Sequence, residues 1–318
     1  MRATTRSDGL RALALAVLSS ATFALSGPLA HALIEIGWTP VAAAMARIAG
    51  AFVVLLPATL VTLSGRYRLL RGQATRIVAF GVLGVTGAQL CFFNAVARMP
   101  VAIALLIEYV APLAILAWLW AVHGQRPNRL TLLGAACAIA GLAIVLGVFG
   151  GVTVSAAGLL WATGALVGMA GYFLIAADDR SELPPIVLAA SGLGVGALLL
   201  ALLGLVGLQS FTVLSGDVAL AGTTIPWWSA AVALAVVTAA LPYLFGITAA
   251  RALGARLMSF VALTEVLFAA LFAWLLLSEA LGVAQLLGGL FVVAGIAIVR
   301  AAEPASPGLG PSGAPELP

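Results

Sequence analysis

The stretch Cys91–Trp120, CFFNAVARMPVAIALLIEYVAPLAILAWLW, and the stretch Leu244–Leu276, LFGITAARALGARLMSFVALTEVLFAALFAWLL, are two renderings of one pattern. Arg98 and Arg251 coincide at an offset of 153. Further on, Gly134 and Gly141 match Gly288 and Gly295 at an offset of 154, so the second copy holds one extra residue. Internal symmetry in an apolar chain is a signature of membrane transporters built from repeats.

Composition agrees. With 318 residues, 63% of them hydrophobic and 8% charged, and a mean hydropathy of +1.19, the chain has too little polar surface to coat a soluble globule. The lipid bilayer is therefore its surroundings. A span takes about 20 apolar residues, and cutting at charged or Pro/Gly-rich breaks gives ten, near 12–33, 40–62, 77–97, 101–122, 130–148, 155–176, 185–207, 226–249, 257–277 and 282–299. The expected fold is an all-α membrane protein of ten transmembrane helices. Residues 1–11 form an N-terminal tail, 12–148 the first five-helix repeat, 155–300 the second, and the Pro-rich 301–318 a disordered tail. Ala30-His31-Ala32 resembles a signal-peptide cleavage site, but the apolar run before it is longer than such a signal needs, so it reads as a retained first span.

Thirteen of the fourteen loop and tail arginines fall on one side of this arrangement, Arg98 alone on the other. The positive-inside rule then puts both termini in the cytoplasm of a multi-pass cytoplasmic membrane protein. The pI near 9.7 follows from that topology without a nucleic-acid partner. Five spans per half is an odd number, so the second repeat enters the membrane inverted. Such pairs place a substrate site near the midplane between them.

Cys91 and Cys137 lie within apolar spans and read as packed thiols, and His31 and His123 are far apart, so no metal site is expected. No GxxxxGK[ST] motif occurs, which argues against ATP drive within this chain, and no cofactor is expected. A membrane-embedded enzyme would need a nucleophile with its base, a metal cluster or an acidic diphosphate motif. The Asp178-Asp179 pair reads as solvated loop instead, and the expectation is a non-enzyme.

Charges inside hydrocarbon are expensive and face a cavity or a partner. Arg47, Glu108 and Glu265 are the three that qualify. Arg47 and Glu108 lie about 10–12 Å in from the outer face, and Glu265 about 13 Å in from the inner one, at ~1.5 Å per residue. An Arg fork suits a substrate carboxylate, and a desolvated Glu suits a proton carrier or an ammonium partner. The structural alternatives are a buried Arg47–Glu108 ion pair and a Glu265 carboxyl that is protonated or caps an interior break. Glu279, Glu35 and His31 are membrane-edge residues. Gln89 and Asn94 in span three need polar partners. Thr238, Tyr243, Ser19, Ser20 and Thr22 are further mid-depth polar groups. Pro28, Pro112 and Pro242 interrupt spans one, four and eight, freeing carbonyls that can line a cavity.

The run Met99-Pro100-Val101-Ala102-Ile103-Ala104-Leu105-Leu106-Ile107-Glu108-Tyr109-Val110-Ala111-Pro112-Leu113, with Thr238-Ala239-Ala240-Leu241-Pro242-Tyr243 and the later Glu265 and Leu277-Ser278-Glu279 followed by Gln285-Leu286-Leu287, resembles the drug/metabolite transporter superfamily of EamA type over about residues 12–300, and its threonine/homoserine exporter branch most. The resemblance implies efflux of small metabolites, amino acids above all, from the cytoplasm. In that branch a proline commonly follows the second-repeat glutamate, where this chain has Val266. Glu108 keeps its Pro112. Proton antiport is the coupling expected, and a facilitator for neutral drugs or other metabolites is the alternative.

Overall fold

The computed structural model describes residues 6–148, 155–178, 182–208, 210–277 and 282–303. Arg2, the connection 149–154, Asp179, Arg180, Glu279 and the tail from residue 304 lie outside them. The first half runs α1 (Arg6–Ala24), α2 (Ser26–Glu35), α3 (Pro40–Leu63), the short α4 (Arg68–Gly72), α5 (Ala74–Ala79), a π-helical stretch (Phe80–Gly87), α6 (Ala88–Val96), α7 (Val101–Tyr109), α8 (Ala111–His123) and α9 (Arg129–Val145). The second runs α10 (Ala156–Ala176), α11 (Pro185–Leu205), the strands β1 (Asp217–Leu220) and β2 (Thr223–Pro226), α12 (Trp227–Ala235), a second π stretch (Val236–Ala240), α13 (Leu241–Ala262), α14 (Thr264–Leu277) and α15 (Val283–Ala302).

Eight of the resulting stretches are long and apolar enough to cross a membrane, and Arg129–Val145 and Thr264–Leu276 are shorter apolar helices. The longest stretch, Trp227–Ala262, would exceed a ~30 Å hydrocarbon core at ~1.5 Å per residue. It turns at Gly254, whose φ of 79° is left-handed and open to glycine without a Cβ penalty. Exposed apolar side chains such as Val61, Leu160, Leu205 and Leu290 are the surface such a bundle offers to lipid.

Among the described residues, three helices begin on a residue whose side chain accepts from the first turn. Thr39 accepts from the Ala42 N–H ahead of α3, Asn128 from Thr131 ahead of α9, and Ser155 from Gly158 ahead of α10. α3 and α11 each open on a proline, Pro40 and Pro185, where the missing N–H would be unbonded anyway.

The interruptions of the two halves coincide. The π stretches end at Gly87 and Ala240, and the breaks between α7 and α8 and between α13 and α14 fall at Val110 and Leu263. Both pairs stand at the 153-residue offset that relates Arg98 to Arg251. α9 and α15 pack antiparallel through the glycines of the repeat. A Cβ on Gly134 would stand 2.8 Å from the Gly295 carbonyl, and one on Gly295 2.6 Å from that of Gly134. For Gly141 and Gly288 the distances are 2.6 and 2.7 Å. Gly134 also meets Val299 as Gly288 meets Val145, so each contact has its reciprocal.

Ile48, Phe80, Leu193, Ile247 and Phe260 are fully buried in the main core. A satellite core of Leu33, Trp38, Val218 and Leu234 sits at the opposite end of the bundle from most arginines. There the all-α expectation gives way to an antiparallel hairpin of β1 and β2. Its two turn residues, Ala221 and Gly222, both have positive φ, the conformation that favours a two-residue hairpin. Residues 210–214 are tied to the start of α3: the Trp38 indole N–H donates to the Leu214 carbonyl at 2.7 Å, and the Thr39 hydroxyl to that of Ser210 at 2.9 Å.

Candidate functional site

Where the interrupted helices meet, the bundle encloses a cavity of about 590 Å³. Toward the hairpin end it is lined by the exposed Gly27, Ile34 and Pro40, and its far end is closed by the buried Tyr243 and Met258. Ser19 also lines the cavity, and its hydroxyl donates to the Pro242 carbonyl at 2.8 Å. Tyr172 and Tyr243 meet edge to face with ring centres 5.7 Å apart, and Phe80 stands edge-on to Tyr243 at 6.2 Å. Aromatic packing of this kind makes a stiff wall.

Arg47 lines the cavity and is 9% exposed. Its Nε donates to the Thr238 carbonyl at 3.1 Å, and its guanidinium lies over the Phe23 ring at 4.2 Å from the centre. The acceptor is there because of Pro242. In an α-helix residue 242 would return its N–H to the carbonyl of residue 238, and proline has none to return, so the Thr238 carbonyl is left for Arg47. Its Nη2 is buried without a hydrogen-bond partner. The expected alternative of an Arg47–Glu108 ion pair is not formed. Among the described residues the ion pairs are His31–Glu35, Arg76–Asp178 and Arg256–Glu303. Arg47 instead meets the second half's carbonyl and the first half's phenyl, and among the described residues no carboxylate lies within ion-pairing distance of it.

Glu108 and Glu265 both line the cavity, as do Gln89 and Tyr243. Glu108 sits in the last turn of α7, just before the break at Val110. Glu265 sits in the first turn of α14, just after the break at Leu263, where the helix start presents its partial positive charge. Tyr109 also lines the cavity, as an electrostatic neighbour of the Glu265 carboxyl. Asn94 does not line the cavity. Its amide donates to the Leu90 carbonyl at 2.9 Å and its Oδ1 accepts from Arg98 at 3.0 Å. Pro112 occupies the second position of α8 and Pro242 that of α13, while in span one the interruption falls at Leu25, three residues before Pro28.

Sequence reasoning did not single out Tyr109, Tyr172, Phe23 or the π stretches. Tyr109 was open to discovery as the neighbour of Glu108. The first π stretch carries Gly81, Gly84 and Gly87, with Gly81 admitting Val195 and Gly84 admitting Tyr172 at distances a Cβ would fill, but glycines in apolar spans usually mark ordinary close packing.

What this arrangement can do chemically is hold a solute whose carboxylate meets the free Nη2 of Arg47 and whose cationic or hydroxyl group meets Glu108, Glu265 or Gln89. Phe23, Phe92, Phe93 and Met169 supply an apolar wall for the remainder. A sequence model of the EamA-like transporter family matches the chain twice, over residues 10–147 and 156–301. Among solved structures, one crystal structure of a protein 22% identical in sequence superposes with a TM-score of 0.72, over 93% of this chain and 98% of its own length, a likeness of fold alone. No curated protein matches.

Proposed function

Since this chain belongs to the EamA-like transporter family and is therefore a small-molecule transporter, we propose that it exports amino acids or closely related metabolites, threonine and homoserine among them, out of the cytoplasm. The single observation that carries this reading is Arg47: a guanidinium buried in the cavity wall with one nitrogen unbonded and, among the described residues, no carboxylate paired to it. A planar fork held in that way suits the carboxylate of a bound solute.

The proposed architecture is ten spans in two inverted repeats. The reciprocal Gly134–Gly295 and Gly141–Gly288 contacts of the antiparallel α9 and α15 are those a two-fold axis in the membrane plane would generate. The arginine-rich end then faces the cytoplasm and the hairpin end faces outward. The cavity is in its outward-facing state, and rocking of the halves about α9 and α15 exposes the same site to the inside. Glu108 and Glu265, on the cavity side of two helix breaks, are proposed to carry the proton that moves inward as the cargo leaves. Gln89 and Tyr243 are proposed to orient the cargo.

The test is efflux of labelled threonine from proteoliposomes holding the purified chain, with and without an imposed pH gradient. Gradient-dependent efflux that homoserine reduces supports the reading. An Arg47→Gln protein that folds and still exports at the normal rate overturns the site, and export indifferent to the gradient overturns the coupling.

A further inference from the structure

Buried guanidinium nitrogens without a partner occur at two places among the described residues. One is Arg47 in the cavity, and the other is the arginine-rich end, where Arg76 Nη1, Arg251 Nε and Nη2, and Arg256 Nε are all unbonded. Arg256 is occupied otherwise, at 3.6 Å from Glu303 and with its Nη2 donating to Gln125 at 3.3 Å. Arg76 and Arg251 are the pair that stands together. Arg76, at the start of the third span, bonds Asp178 at the end of α10 through its Nη2. Arg251, three residues before the Gly254 turn, lies within electrostatic range of both. Among the described residues two guanidinium groups thus lie near one carboxylate, and three of their buried nitrogens have no hydrogen-bond partner. Buried guanidinium donors without partners, on two neighbouring arginines, suit an oxyanion.

We propose that Arg76 and Arg251 form a second anion-binding site, outside the central cavity, that takes one carboxylate or phosphate group between the two halves of the molecule. Arg76 belongs to the first half and Arg251 to the second, so an anion there ties the halves together at the end opposite the cavity mouth. It neutralises the repulsion between the two arginines in the closed arrangement and must be released, or exchanged against Asp178, for that end to open. The group can come from a soluble anion or from the headgroup of an acidic lipid in the adjoining leaflet, where basic pockets between spans favour such headgroups. The proposal stands apart from the identity of the cargo and from the direction of transport.

The experiment uses the purified full chain and follows its thermal unfolding midpoint in two arms. In detergent, inorganic phosphate is titrated at constant ionic strength. In nanodiscs, phosphatidylcholine alone is compared with a mixture containing phosphatidylglycerol. A saturable rise with phosphate that persists in Arg47→Gln and is lost in Arg251→Gln supports a site for soluble anions. A rise only with phosphatidylglycerol, again lost in Arg251→Gln, supports a headgroup site. If Arg251→Gln does not fold, Arg251→Lys keeps the charge while losing the fork, and the midpoint of the titration is expected to move to higher anion concentration. No rise in either arm, or a rise that neither Arg251 variant alters, overturns the proposal.

Discussion

The two halves share their backbone devices and differ in their chemistry. Both carry a π stretch ending at equivalent residues, a break at Val110 or Leu263, a proline opening the second span and a glycine-faced last span. The charges do not follow this symmetry. Counted from Pro40 and Pro185, Arg47 falls on Gly192, which packs against Phe80. At the offset of 153, Glu108 falls on Val261, Pro112 on Glu265 and Gln89 on Pro242. The repeat is thus the scaffold, and the departures from it line the cavity that is the candidate site. Helix breaks on both sides make room at the centre, and each half furnishes it with different groups.

If the departures are the site, their removal should strike transport and spare the scaffold. The largest effect is expected from Arg47→Gln. Loss of a charge-assisted contact of about 1.5–3 kcal/mol corresponds to a fall of roughly 10–100-fold in the affinity for the cargo, read from the concentration dependence of proteoliposome efflux. Arg47→Lys should recover only part of it, because an ammonium cannot present the planar fork. The unfolding midpoint of either variant should change little beside the transport loss.

The shared scaffold predicts the opposite pattern. Gly141→Val and Gly288→Val should each destabilise the protein, by about 1–3 kcal/mol as overpacking against an unyielding backbone does. The reciprocal contacts require the two costs to be alike. Thermal unfolding in detergent measures both. A large cost at one glycine and none at the other would break the equivalence of the halves.

Pro242 and Gln89 sharpen the comparison at a finer level, since each is the second residue of the helix that follows a π stretch. Pro242→Ala restores an N–H that competes with Arg47 for the Thr238 carbonyl. Losing one hydrogen bond of about 1 kcal/mol is expected to lower the apparent affinity about fivefold with stability unchanged or raised. Gln89→Ala leaves the helix hydrogen bonds as they are, and its effect should be confined to the cargo. An unaltered efflux curve for Pro242→Ala would show that the freed carbonyl does not position Arg47.

Much of the scaffold was legible because bilayer physics imposes a coarse code. Apolar length marks spans, arginine asymmetry marks ends, and the offset between Arg98 and Arg251 carries over to the ends of the π stretches and to the breaks. Arg47, Glu108 and Glu265 were legible because a charge in an apolar run is conspicuous. What they touch was not. Whether Arg47 pairs with Glu108 or bonds a carbonyl depends on the crossing of α3 with the second π stretch, which no local pattern specifies. The turn at Leu25 precedes its proline by three residues, and the β1–β2 hairpin has alternation over only four residues a side. Asn94 looked like a cavity residue because its depth was readable and its facing was not, and it is satisfied by Leu90 and Arg98 instead.

Not every charge that breaks the symmetry belongs to the site, and Arg256–Glu303 marks the lower limit. Neither residue has a charged counterpart in the first half. Their side chains are 16% and 29% exposed and 3.6 Å apart, with Arg256 Nε and Glu303 Oε1 buried and unbonded, so the pair is largely shielded from solvent and its geometry is loose. In such a pair the attraction is set against the cost of taking both charges out of water, so its net contribution is small. Glu303→Gln is expected to lower the unfolding midpoint, with little change of that difference in high salt because buried charges are weakly screened, and to leave efflux at the level of the unaltered chain. The contrast with Arg47 is one of surroundings: Arg47 is buried, faces the cavity and, among the described residues, pairs with no carboxylate, whereas Arg256 is met by Glu303 and Gln125 at the bundle's end. A transport defect in Glu303→Gln as large as that of Arg47→Gln would mean that departure from the repeat, by itself and irrespective of the cavity, is what marks a functional residue in this fold.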